Sequence, residues 1–407
     1  MQEDVLDTID DFSEEMKDTL IEMLKIPSIG PDNDGDGEME RAEFLMELID
    51  DLGFDVIERY DAPDDRVSDG VRPNIVAKKY GRSDKKIVII AHMDIVPEGD
   101  LDEWDTDPYD PVFKDGKIYG RGSEDNGQEV IAGLFAGKAF SESGITPEHN
   151  LIMVIVSDEE TGSEFGVEHI LKEGLISEDD LVIVPDHSED EGKKVEITEK
   201  SALWIKIIVH GKQGHAAMPG HTINACRVGS RYQNLVDERL HQELKEENPL
   251  FSPPTSTMEP TKKEANVPNI NTIPGKDVQY FDCRILPSRD LKDVIEIFED
   301  TAEEIEEETG AEVELDFSKL KYSPEGTPED AEVVVKLKSA IEKITGIYPD
   351  PVGIGGGTVA SHFRERGIPA VVWCSNMELA HQPNEYAILD YMVRDCKVFA
   401  TMMMEKE

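Results

Sequence analysis

Five stretches of this chain carry residues that bind divalent cations: His92-Met93-Asp94, Asp125 within GRGSEDNG, Asp158-Glu159-Glu160, Asp186 within IVPDHS, and His381 within AHQPNE. Imidazole nitrogens and carboxylate oxygens are the donors that zinc and its neighbours take. Five such ligands with spare carboxylates can hold two ions around one shared carboxylate and leave a base free beside them. That is the equipment of a metal-assisted hydrolase. Singly the stretches say little, because a His-x-Asp can be a core pair and three adjacent acids can be a solvated turn. Their common placement, at the ends of apolar runs or on glycine turns, is what argues for chemistry.

Each stretch has a physical reason to work. His92 and Asp94 lie at i and i+2 after KIVII, on one face of an extended segment, so Asp94 is expected to accept the second ring N–H and fix the tautomer. Asp125 sits on a turn shaped by Gly120 and Gly122, from which a carboxylate can offer one oxygen to each of two ions. Adjacent acids in Asp158-Glu159-Glu160 point in different directions. One can bind metal while another takes a proton from water. Asp186 ends the run LVIVP, and His381 follows the run that includes AVVWC.

The apolar runs predict what must position these residues. VIER, NIVAKKY, KIVIIAHMD, LIMVIVSD and LVIVPD read as strands, several apolar at every position as in a sheet covered on both faces. Helices are expected at 10–25, 38–51, 127–143, 164–173 and 328–345, with a late strand at 370–374. Alternating strands and helices imply an α/β sandwich around a mostly parallel sheet. Near residue 200 the pattern changes. SALWIKIIVHG alternates, a helix follows at 223–243, a Pro-rich loop NPLFSPPTSTMEP intervenes, and strands at 278–286 and 311–317 flank an acidic helix at 290–308. This implies an inserted α+β, ferredoxin-like domain at 200–320 between catalytic segments 1–199 and 321–407. The acidic helix reads as a solvated face.

Bulk composition excludes other classes. A net charge of −48, from 89 acidic against 41 basic residues, opposes binding to nucleic acid or an anionic membrane. It suits a very salty cytoplasm, where screening removes self-repulsion. MQEDVLDTIDDF lacks the basic and apolar regions of a signal peptide, and no run approaches the roughly 18 apolar residues of a membrane span. Cysteines 226, 283, 374 and 396 show no CxxC spacing, as expected of buried thiols in a reducing compartment. A cytoplasmic location is expected.

HMDIVP, GRGSEDNG, SDEETGS, VPDHS and AHQPNE, in this order, resemble the zinc-dependent amidohydrolase and peptidase family of succinyl-diaminopimelate desuccinylase, acetylornithine deacetylase and glutamate carboxypeptidase. The resemblance implies two divalent ions, zinc with cobalt or manganese as substitutes. His92 and Asp186 would hold one and Glu160 and His381 the other, with Asp125 bridging. It further implies Asp94 orienting His92 and Glu159 as general base. In the inserted domain GKQGHAAMPG resembles the segment whose histidine, here His215, reaches the partner subunit's active site, which implies a homodimer formed through that domain. NTIPG, DCR and GIGGGT resemble substrate-contacting segments, here Asn271, Arg284, Gly356, Gly357 and Thr358. The chain departs from the pattern at Asn126-Gly127-Gln128 and at Val359-Ala360-Ser361-His362. HQPNE favours an N-acyl amino acid substrate, and Asp186 favours short peptides, as in the family's aminopeptidases and dipeptidases. A catalytically silent binding or scaffold relative would share the fold.

Overall fold

The computed structural model describes residues 2–188 and 191–405. The chain packs as two compact units. One comprises the residues up to Ile197 with Thr327–Pro351 and Thr358 onward; the other comprises Thr198–Gly326 with Val352–Gly357.

The first unit opens with helices α1 (Gln2–Asp11), α2 (Ser13–Leu24) and α3 (Met39–Asp51), then strands β1 (Val56–Pro63), β2 (Val71–Lys79) and β3 (Lys86–His92). A short hairpin, β4 (Val112–Lys114) and β5 (Lys117–Tyr119), precedes helix α4 (Gln128–Ser143). There follow β6 (Asn150–Val156), α5 (Val167–Lys172), β7 (Leu181–Val184) and β8 (Lys194–Glu199). The second unit runs β9 (Ser201–His210), β10 (Gly214–His215), α6 (Ala225–Glu243), β11 (Thr257–Lys263), β12 (Thr272–Ile273), β13 (Lys276–Ile285), α7 (Leu291–Thr309) and β14 (Glu312–Lys321). The chain ends with α8 (Glu332–Thr345), β15 (Asp350–Ile354), α9 (Ala360–Arg364), β16 (Ala370–Val372), β17 (Tyr386–Ile388) and α10 (Leu389–Met404).

Among the described residues the main sheet has the order β1-β2-β6-β3-β7-β16-β8-β15. Its centre, β6-β3-β7-β16, is parallel. Antiparallel strands flank this centre, β1 and β2 on one side and β8 on the other. The α/β architecture expected from the apolar runs is therefore present, with its parallel part where those runs are longest. Val88 and Ile90 of β3 pack into a core with Val167 and Ile170 of α5 and Phe363 of α9. On the opposite face Gly133 of α4 lies so close that a Cβ there would fall 2.6 Å from the Met153 sulfur. That contact explains the small residues of AGLFAGKA, which let a helix buried from Gln128 to Phe140 approach the sheet.

In the second unit the sheet order is β11-β13-β9-β14 with every neighbour antiparallel. Leu203, Ile205, Ile207 and Val209 of β9 form its core with Val228, Tyr232 and Val236 of α6 and Val294 and Phe298 of α7. This is the βαββαβ pattern that the inserted stretch predicts.

Several elements differ from expectation. The helix read at 10–25 is two helices meeting at Phe12, and the first starts at Gln2 because Val5 and Ile9 supply a buried turn of their own. The end of the Pro-rich loop is β11, an edge strand with a register shift after Pro260. A proline, which cannot donate to a ladder, is tolerated at an edge. The three-stranded sheet β17-β5-β4 and the helix α10 are additions. No helix among the described residues is long and apolar enough to cross a membrane.

Candidate metal centre

Three ligand-bearing stretches lie side by side because their strands are parallel neighbours. β3 sits between β6 and β7, with Ile89 opposite Ile183 and His92 opposite Val156. Three residues beyond Ile89 and Ile183 stand His92 and Asp186, which the register therefore brings level. Glu159 and Glu160 follow the end of β6 at Val156. The chain leaving β16, the next strand over, leads to His381. Asp125 comes from the turn entering α4. The carboxyl edge of a parallel sheet thus collects all five stretches.

The contacts are specific. His92 Nε2 lies 2.9 Å from Asp125 Oδ1 and 3.3 Å from Asp186 Oδ1. His381 Nε2 lies 2.9 Å from Glu160 Oε2 and 3.4 Å from Asp125 Oδ2. Asp125 therefore turns one oxygen to each histidine. Donor atoms of His92, Asp125 and Glu160 all lie within 4.8 Å of one another. Ligands on a tetrahedral zinc with bonds of about 2.0 Å are about 3.3 Å apart, so these spacings and this donor set fit divalent cations. His381 adopts φ 65°, a left-handed backbone unusual for a non-glycine residue and a form of strain found at functional sites.

The supporting contacts refine the expected role of Asp94. His92 Nδ1 lies 3.0 Å from the backbone oxygen of Asp94 and 3.6 Å from its carboxylate. The carboxylate instead accepts the backbone N–H groups of Glu159 and Glu160, each at 3.1 Å. Asp94 thus fixes His92 through its main chain and the acidic turn through its side chain. Asn126 links three stretches: its amide donates to the Pro185 oxygen at 2.7 Å, and its Oδ1 accepts from the His92 N–H at 3.3 Å. Gly122 has φ 79°, and a Cβ there would fall 2.5 Å from Ile95, so the turn that presents Asp125 requires glycine.

Two buried acids that the sequence reading does not single out complete the scaffold. Glu385, wholly buried, accepts from the backbone N–H of Gly122, Glu124 and Asp125 at 3.0, 2.9 and 3.0 Å and from Arg121 at 2.7 Å. Glu124 accepts from the backbone N–H groups of Met377 and Leu379. Their signal in the sequence is only that they fall inside GRGSEDNG and AHQPNE.

Crowded carboxylates shape the electrostatics. Burial disfavours charge on His92, but bonds to Asp125, Asp186 and Asp94 outweigh it and hold its pKa well above the usual imidazole range. Burial likewise opposes ionisation of Asp125, yet the facing His381 and His92 bring its pKa well below normal. Burial raises Glu160 to about 7 against the His381 bond, and bonds to Asp125 and Glu160 raise His381 to about 10. Glu159 is pushed well up by burial and by the Asp186 charge. A divalent ion would reverse that pressure by supplying the missing positive charge.

The second unit's predicted site residues form their own groupings. His215 of β10 pairs with Thr272, and the N–H of Ala216 bonds the Asn271 oxygen at 3.0 Å, so His215 and Asn271 lie on one exposed ladder. Arg284 on β13 pairs with Asp282 at 2.6 Å and reaches the Gly355 oxygen at 3.2 Å. Gly356 and Gly357 are exposed, and a Cβ at Gly357 would lie 2.5 Å from Lys321 Nζ. Thr358 belongs to the first unit, where its hydroxyl accepts the Ala360 N–H at 3.2 Å and opens α9.

Residues 88–405 match the family described as peptidase family M20/M25/M40. An uncharacterised metallohydrolase of Methanocaldococcus jannaschii is 40% identical over 408 residues, covering 96% of this chain and 98% of that protein. A succinyl-diaminopimelate desuccinylase of Nitratiruptor is 26% identical over 375 residues, 91% of this chain and 94% of its own. In structure the chain is similar to the aminopeptidase PepT of Bacillus cereus, with a TM-score of 0.77 at 18% identity, covering 96% of this chain and 98% of that one.

Proposed function

This chain belongs to peptidase family M20/M25/M40 and is a metal-dependent hydrolase of C–N bonds, and we propose that it uses two divalent ions to cleave the amide of an N-acyl amino acid of the acetylornithine or succinyl-diaminopimelate type. The observation that carries this is the split of the Asp125 carboxylate, one oxygen toward His92 and the other toward His381. His92 and Asp186 would hold one ion, Glu160 and His381 the second, and Asp125 would bridge. When bound, the ions, zinc or else cobalt or manganese, would polarise the scissile carbonyl and lower the pKa of a water toward neutrality. Glu159 would accept a proton from the attacking water and deliver it to the leaving amine. Asp94 holds the Glu159–Glu160 turn so that base and ligand keep their separate directions. Asn271, Arg284, Gly356, Gly357 and Thr358 engage the substrate. His215, supplied by the partner in a homodimer joined through the second unit, donates to the developing oxyanion.

Support for the acyl substrate comes from HQPNE and from the desuccinylase relative. Asp186 in the ligand set supports a second reading, in which short peptides with a free amino end are cleaved. Turnover of N-acetylornithine, N-succinyl-diaminopimelate and dipeptides with free or blocked amino ends, after loading with each metal in high salt, separates the two. Cleavage confined to peptides with a free amino end would overturn the acyl assignment.

A further inference from the structure

The two chain segments that contribute Asp125 and His381 are far apart in sequence, and each carries a buried glutamate that grips the backbone of the other. Glu385, four residues after His381, takes up the N–H groups of Gly122, Glu124 and Asp125. Glu124, immediately before Asp125, takes up the N–H groups of Met377 and Leu379, just ahead of His381. Arg121 closes the arrangement by donating to Glu385 and, at 3.4 Å, to the His381 oxygen. Both glutamates are buried, at 0% and 6% exposure. A lone buried carboxylate that satisfied itself on any available donor would be unremarkable in so acidic a chain. A reciprocal pair is not, because each bond fixes the main chain next to a ligand rather than a ligand side chain.

Resting on the two-ion reading above, we propose that Glu124 and Glu385 are positioning residues that set the separation of Asp125 from His381 and so the geometry of the second ion's site. The arrangement resists two motions at once. Glu385 bonds both the N–H of Asp125 and that of the residue before it, which fixes the direction in which the Asp125 side chain leaves the turn. Glu124 bonds alternate N–H groups at 377 and 379, which holds the approach to the left-handed His381. Charge-assisted bonds from backbone N–H to carboxylate are about twice as strong as neutral ones. Replacing either acid with its amide sets an NH2 against backbone donors without changing shape.

The test compares the full-length parent with Glu385→Gln, Glu124→Gln and, as a control, Glu196→Gln, a buried acid that bonds Arg364 instead. The readouts are stepwise zinc affinity by competition with a chromophoric chelator, melting temperature, and kcat and KM. Both brace variants should bind one of the two ions about tenfold to a hundredfold more weakly, the usual effect of removing a group that orients metal ligands. The drop in kcat should match, with KM little changed. The control should melt earlier yet bind both ions as the parent does. Should Glu385→Gln not fold, Glu124→Gln, which keeps the Arg121–Glu385 pair, carries the same expectation. A brace variant that melts earlier but binds both ions with parental affinity overturns the proposal. A parent that binds two ions but hydrolyses none of the substrates sinks the functional reading alone, and the affinity comparison still decides the brace. A parent that takes up fewer than two ions overturns both.

Discussion

Two regions of this protein are dense in carboxylates and behave as opposites. Just past the end of β6 Glu160 meets His381 at 2.9 Å, and beside them buried His92 meets the half-buried Asp125 and Asp186 at 2.9 and 3.3 Å. Helix α7 presents Asp293, Glu296, Glu299, Asp300, Glu303, Glu304, Glu307 and Glu308 to solvent while Leu291, Val294, Phe298 and Ile305 face the core. On α7 the charges stay at the surface in water, Glu304 and Glu308 beside Arg239 and Arg231 of α6, and repulsion is screened by salt. At β6 the charges are largely desolvated, which pushes the Glu159 and Glu160 pKa values up, and the structure answers with histidines and with backbone N–H groups. Acid content therefore does not mark the site. Burial of acid against imidazole does.

The comparison is broken most directly at Glu159. Glu159→Gln should keep two ions but lower kcat by about 10²–10⁴-fold, the range for a lost general base. A loss smaller than tenfold, with metal content unchanged, would show that another group takes the proton.

Next is removal of the ions. A chelated protein should lose about 4 kcal/mol of stability per ion relative to one at free metal a thousandfold above each Kd. Its pH dependence has a definite sign. Glu160, raised from 4.5 to about 7, binds more protons folded than unfolded, so its contribution falls as pH rises across that interval. His381, raised from 6.5 to about 10, contributes fully below 6.5 and loses that contribution as pH rises through about 10. Melting temperature of the chelated protein should therefore decline from pH 5 to pH 9. With zinc the trend should reverse, because ligands must be deprotonated to bind. Parallel curves with and without zinc would break the link between these groups and metal.

A smaller effect distinguishes the two jobs of Asp94. Asp94→Asn keeps the main-chain bond to His92 and disturbs only the grip on Glu159 and Glu160. It should lower kcat about tenfold or more while the affinity of the His92 ion stays near parental. Loss of that affinity without loss of kcat would return Asp94 to the role of orienting the histidine.

The smallest effect belongs to α7. Changing Glu303, Glu304, Glu307 and Glu308 to Gln should leave kcat and KM unchanged and alter stability by about 0.5 kcal/mol per site at most. Any gain should vanish at about 1 M salt, where the Debye length is about 3 Å. Reduced turnover in this variant would show that the acidic face does more than solvate the helix.

Much of the fold was legible because its signal is local. KIVII and LIMVIV had to be strands covered on both faces, whereas SALWIKIIVHG, expected to expose one face, does so only at Trp204, Lys206 and His210. What was missed lacks a local signal. β11 hides behind prolines, and the β4–β5 hairpin with β17 is formed by segments more than 260 residues apart. The site divides in the same way. Donor types and their positions at strand ends could be read from the chain. Glu124 and Glu385 could not, since in a chain with 89 acids a buried glutamate and a surface glutamate are the same letter.

By itself, then, the sequence determined the strands, the donors at their ends and the family to which their order belongs. The tertiary structure alone decided that β3 lies between β6 and β7, that Asp125 divides its oxygens between two histidines, and that the Asp94 carboxylate holds the acidic turn. The reason is physical. Periodicity and residue type act over one turn or one strand, whereas desolvation and hydrogen-bond partners depend on which distant segments the packed core brings together.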